Sequence, residues 1–97
     1  MKDIYGKEFH PTEMYKLINL MIETDHHFKV VENMNTPQII FYDYNLNIIG
    51  DAICHGGSFG HEKGLLEIMG LDLEDDDILG CLTAEEVLNH YINALQL

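Results

Sequence analysis

Three short runs decide the fold: Phe28-Lys29-Val30-Val31-Glu32, Gln38-Ile39-Ile40-Phe41-Tyr42 and Leu46-Asn47-Ile48-Ile49. Each is rich in β-branched and aromatic residues, the side chains that fit a pleated, half-buried surface. Asn33-Met34-Asn35-Thr36-Pro37 separates the first two and reads as a turn, and Asp43-Tyr44-Asn45 offers a tight reversal before the third, which runs on to Cys54. Parallel neighbours need a long crossover, so three strands joined this closely predict an antiparallel meander.

Outward from the meander the period changes to that of helices. Met14, Leu17, Ile18, Met21 and Ile22 recur at i, i+3, i+4, i+7 and i+8 behind Pro11, which predicts a helix from about Pro11 to Asp25. At the other end, Thr83-Ala84-Glu85-Glu86 matches a capping box, with Val87, Leu88, Tyr91, Ile92 and Leu95 as the apolar stripe behind it. Between them, Gly56-Gly57-Ser58-Phe59-Gly60 reads as a flexible loop. Leu65-Leu66-Glu67-Ile68-Met69, bracketed by Gly64 and Gly70, reads as one or two helical turns. The expectation is a single α+β domain over residues 1–97. It has an N-terminal helix, a three-stranded antiparallel sheet, a short helix and a C-terminal helix, with the helices on one sheet face.

The 97 residues are 46% hydrophobic, enough for one core and too apolar for disorder. The formal net charge is −12 and there is no arginine. Five scattered lysines cannot supply the basic footprint that binding to nucleic acid or an anionic membrane requires. The N-terminus lacks an apolar core of signal-peptide length, so a cytoplasmic location with Cys54 and Cys81 as reduced thiols is expected.

The charge is lopsided. Residues 62–86 hold nine acids, Glu62, Glu67, Asp72, Glu74, Asp75, Asp76, Asp77, Glu85 and Glu86, around Lys63 as the one lysine. Glu85 and Glu86 suit the first turn of a helix, where carboxylates meet the dipole and the cap. Four consecutive acids, Glu74 to Asp77, stabilise neither helix nor sheet. Such a run is either a solvated loop or a surface for something basic, since spaced carboxylates on a rigid body can imitate a phosphate backbone.

Other chemistry fits the residues less well. Cys54, His55, His61 and Cys81 invite a metal, but Cys54 and His55 are neighbours on a strand and no pair has ligand spacing. A calcium loop counted from Asp72 fails, with Asp77 where glycine is needed and Thr83 where glutamate is needed. The glycine-rich stretch lacks the Gly-Lys-Ser/Thr order of a phosphate loop, since Lys63 precedes Gly64. Ser58 with His55 or His61 and Glu62 has no nucleophile-elbow or oxyanion pattern around it. No enzyme, cofactor or metal is expected.

Residues 50–90 carry a resemblance. Ala52-Ile53-Cys54-His55, the glycine-rich bend, Gly64-Leu65-Leu66-Glu67-Ile68-Met69-Gly70, an acidic spacer and Gly80-Cys81-Leu82-Thr83-Ala84-Glu85-Glu86-Val87 occur in that order. They resemble small acidic proteins of phages, plasmids and other mobile elements of Gram-positive bacteria. Some proteins of this size, charge and origin are anti-CRISPR proteins that inhibit type II-A Cas9. The resemblance implies a non-enzymatic inhibitor acting in the bacterial host cytoplasm. Its partner would be a basic nucleic-acid-binding protein, a Cas9-type effector or its guide complex, and it would block guide-RNA loading or DNA binding. Such effectors hold guide and target in positively charged channels. Glu74, Asp75, Asp76 and Asp77 would carry the electrostatics, with Asp72, Glu67, Glu85 and Glu86 around them and Phe59 as the apolar anchor. The alternative is a small accessory or regulatory domain that binds a protein through its sheet or helix face and is acidic only for solubility.

Overall fold

The computed structural model describes residues 2, 6, 8, 10–75 and 77–97. The elements run α1 (Thr12–Glu23), β1 (Phe28–Asn33), β2 (Thr36–Tyr42), β3 (Ile48–Ile53), a single 3-10 turn (His61–Lys63), β4 (Leu66–Gly70), β5 (Ile78–Leu82) and α2 (Ala84–Leu95). The strands form one antiparallel sheet in the order β1-β2-β3-β4-β5.

Local chemistry accounts for the connections. Helix α1 buries Met14, Leu17 and Met21 and ends where the Thr24 hydroxyl donates to the Leu20 carbonyl and Asp25 turns left-handed at φ 55°. Met34 and Asn35 both have positive φ, 56° and 64°, giving the two-residue mirror-image turn whose twist matches that of the flanking strands. Asp43 closes the next reversal, its Oδ1 accepting from the backbone N–H groups of Asn45 and Asn47 at 2.9 Å each. Helix α2 has its capping box: Thr83 Oγ1 accepts from Glu86 N, and Glu86 Oε1 accepts from Thr83 N.

One face of the sheet is the floor of the core. Ile39, Phe41, Ala52, Leu66 and Ile68 are essentially without solvent contact and share one cluster with Met14, Leu17 and Met21 of α1 and Ala84, Val87 and Tyr91 of α2. Tyr91 stacks on Phe41 with ring centroids 5.0 Å apart, and its hydroxyl donates to the Tyr42 carbonyl at 2.7 Å. That bond lets a large polar ring sit in an apolar layer without an unsatisfied hydroxyl.

The expected three-stranded sheet and short middle helix are corrected. The sheet has five strands, Leu66–Gly70 is β4, and Ile78–Leu82 supplies a fifth strand that the sequence reading left unassigned. The acidic run therefore connects two strands, not two helices. A short, mostly apolar run looks alike as a helical turn or as a strand. A single helical turn carries the nucleation cost with almost no propagation to offset it. Pairing with β3 gives the same residues a complete ladder, Ala52 opposite Ile68 and Ile53 opposite Glu67. Leu66 and Ile68 then point into the core while Met69 points out, 47% exposed. The order of N-terminal helix, antiparallel sheet and C-terminal helix agrees with expectation.

Candidate partner-binding surface

The connection between β4 and β5, residues 71–77, has a fixed base and an outlying tip. Leu71 is buried with φ 57°, its N–H donating to the Ile49 carbonyl at 2.7 Å, and Leu73 packs against the core. Between them, Asp72 reaches α2: its Oδ1 lies 2.7 Å from His90 Nδ1 and its Oδ2 accepts from Asn93 Nδ2 at 3.3 Å. Beyond Leu73 the chain turns back through a bond from Asp77 N to the Glu74 carbonyl at 3.1 Å. Glu74, Asp75 and Asp77 are exposed there, and among the described residues their side chains carry no hydrogen bond or ion pair. Asp76 lies outside the described residues.

The nine residues singled out in the sequence thus divide by what the fold asks of them. Glu67 is 8% exposed and accepts the Phe59 N–H at 2.6 Å, so it fastens the glycine-rich loop to β4. Glu85 pairs with Lys16 of α1 at 2.9 Å, and that lysine holds its carboxyl below the usual range. Glu86 is lowered likewise by the bonds it receives at Thr83. Glu13, which the sequence did not single out, accepts from Ala84 N at 2.8 Å and adds a third carboxylate at the start of α2. These acids serve the fold, as does Asp72. Among the described residues, what remains without an internal role is Glu74, Asp75 and Asp77 at the tip, together with the side chain of Phe59, a residue 67% exposed. Phe59 belongs to the same edge of the sheet: its carbonyl accepts from Cys81 N at 3.1 Å, and a Cβ on Gly80 would collide with its side chain.

The residues considered for catalysis and metal binding have other duties. The Ser58 hydroxyl donates to the His55 carbonyl at 2.8 Å and accepts from His55 N at 2.9 Å, a closed backbone turn rather than a contact with an imidazole. His55 Nδ1 accepts from Gly57 N, and His61 Nδ1 lies near the Ser58 carbonyl and Glu62. Cys54 is buried, Cys81 is exposed, and neither forms a disulfide. Among the described residues, no three His, Cys, Asp or Glu side chains gather as a metal site, and no helix is long and apolar enough to cross a membrane.

The face of the sheet turned away from the helices is open. Ile40, Asp51, Met69 and Ile78 stand in one row across β2 to β5, facing away from the helices. An open groove of about 270 Å³ lies along this row, lined by Ile40, Ile48, Gly50, Asp51, Met69 and Gly70. Gln38 Nε2 donates to Asp51 Oδ2, and partial burial holds this carboxyl above its usual range despite that bond and one from the Met69 backbone. The usable signal was alternation: once 66–69 is read as a strand, Glu67 and Met69 fall on the face opposite Leu66 and Ile68. A larger concavity of about 460 Å³ at the β1 edge, lined by His26, His27, Phe28, Lys29, Tyr42 and Leu46, gathers none of the acids singled out above. No protein-family model, curated protein or solved structure matches the chain.

Proposed function

We propose that this chain is a non-enzymatic inhibitor that works in the bacterial cytoplasm by binding a basic nucleic-acid-binding protein, with a Cas9-type effector as the leading target. One observation carries the reading: among the described residues, Glu74, Asp75 and Asp77 at the β4–β5 tip have no task in the fold, while Asp72, Leu71 and Leu73 hold the base of that tip to α2 and the core. A charged surface displayed from a fixed base raises association rates with an oppositely charged channel and fixes orientation. An exposed aromatic side chain on the same edge, Phe59, supplies the apolar contact that charge alone lacks. The net charge of −12 agrees in sign with a channel that holds guide and target by their phosphates.

The test is DNA cleavage by Cas9 enzymes of Gram-positive hosts, with the protein added before guide RNA, after guide RNA, or after target DNA. Inhibition is expected, strongest in the early additions, and weakening as salt shortens the screening length to about 8 Å and below. Replacing Glu74, Asp75, Asp76 and Asp77 by Gln and Asn should abolish it. Inhibition that survives this replacement sinks the acidic-tip mechanism, and no inhibition of any such enzyme sinks the target.

The open sheet face favours the second reading, an accessory domain that docks a protein through that face. Partner affinity indifferent to salt would decide for it.

A further inference from the structure

The uncovered face is more apolar than a solvated sheet face needs to be: Ile48 is 66% exposed, Met69 47% and Ile78 49%, with Ile40 beside them. In the midst of these side chains stands one carboxylate. Among the described residues, Asp51 is the sole ionisable one lining the groove, and its cross-strand neighbours on either side are Ile40 and Met69. Lys29 occupies the far end of the same row, opposite Ile40 and two strands away from Asp51, and makes no ion pair with it. A carboxylate has about four acceptor positions, and the bonds from Gln38 and Met69 leave room for more donors. The row ends at Ile78, whose chain neighbour is Asp77 of the acidic tip, so apolar face and acidic rim are continuous.

We infer that the groove is the anchor site for an arginine or lysine side chain of a basic protein partner. Its methylenes would lie along Ile40, Ile48 and Met69 and its cation on the Asp51 carboxylate, with the tip acids engaging further basic residues at the rim. The chemistry of the lining argues for this occupant. Long basic side chains cover apolar surface with their stems while keeping the charged head on a polar partner, and their head carries the charge opposite to that of Asp51. A second copy of this chain fits poorly, since it would bring a further net charge of −12 against a face that already carries Asp51. The inference rests on the reading of the chain as a binder of a basic protein, and it adds where that partner inserts and what it inserts.

The experiment is a titration of the ¹⁵N-labelled full chain with N-acetyl-arginine methylamide, using the neutral citrulline analogue as control. Shifts should centre on the amides of Gly50, Asp51, Met69 and Gly70. Citrulline should bind at least about tenfold more weakly, the loss that follows from removing one charge-assisted hydrogen bond. Asp51→Asn should weaken arginine binding by a similar factor. Met69→Lys, which sets a cation opposite Asp51 at an exposed position, should compete it away, and the dispersion of the remaining amides reports that both variants are folded. Substituting Glu74, Asp75 and Asp77 should leave the groove shifts in place. Shifts confined to residues 74–77 would overturn the groove and leave the acidic tip standing. Arginine bound in the groove of a chain that inhibits no Cas9 would keep the groove and remove the target. Equal binding of citrulline, no binding, or a concentration-dependent dimer using the same row would each overturn the inference.

Discussion

The two faces of this sheet are built from the same strands and differ by one residue of register. On the helix side, Ile39, Phe41, Ala52, Leu66 and Ile68 are closed off by α1 and α2. On the other side, Ile40, Ile48, Met69 and Ile78 alternate with them and are left open around Asp51. An antiparallel sheet tolerates this arrangement when its outer face is polar. Here Ile40, Ile48, Met69 and Ile78 make an apolar stretch of it around Asp51, and that stretch has no justification in the stability of the isolated chain. The hydrophobic effect that holds the helices down is available on the second face for a partner.

The sharpest way to break that contrast is a pair of truncations. Phe41→Ala should cost about 3–5 kcal/mol, because it removes the ring under Tyr91 and leaves a cavity in a layer with nothing to fill it. Met69→Ala, two strands away on the open face, should cost less than about 1 kcal/mol, since nearly half of its surface is already in water. Urea unfolding at fixed pH measures both. Equal costs would mean that the open face is already covered by something within the chain.

The contrast continues into the β4–β5 connection, where the helix side holds Asp72 and solvent surrounds Glu74. Asp72→Ala should lower stability by about 1–2 kcal/mol by removing both bonds to α2. Glu74→Ala should change it by under about 0.5 kcal/mol. Thermal unfolding separates the two. If Glu74→Ala proves as damaging as Asp72→Ala, the tip belongs to the fold and loses its claim to function.

How much of this was legible follows from which residues carry a local signal. The α2 cap was readable because Thr83 and Glu86 stand at fixed spacing, and α1 because Met14, Leu17 and Met21 repeat at helical period. The β1–β2 hairpin was readable as a turn between two β-branched runs. Strands β4 and β5 were not, because their conformation is decided by partners distant in sequence. Ile68 is a strand residue because Ala52 pairs with it, and nothing within five residues of Ile68 says so. The same non-locality hid the duties of the acids. Glu67 was selected for charge alone, yet its role depends on the Phe59 N–H, and that of Asp72 on His90, eighteen residues away. Asp51 was passed over for the converse reason: one acid in a strand is unremarked until its row is known to be apolar.

The smallest expected effect tests that last residue without a partner. Burial raises the Asp51 carboxyl above the ordinary aspartate value of about 3.9, against the opposing pull of Gln38 and Met69. A group that binds its proton more tightly when folded leaves the folded state at full stability below the unfolded pKa. It lowers that stability as pH rises from there through the folded value. Asp51→Asn removes this penalty. The variant should therefore be the more stable protein at pH 7, by under about 0.5 kcal/mol for so exposed a face. Its advantage should shrink as pH falls through the window above 3.9 and vanish below it. Comparing the two proteins at each pH cancels the titration of the other sixteen carboxylates. A variant that is instead less stable at pH 7 would mean that the bonds the Asp51 carboxylate already accepts within the chain outweigh the cost of its burial. The open face would then be a finished surface, and the difference between the two faces would end with the fold.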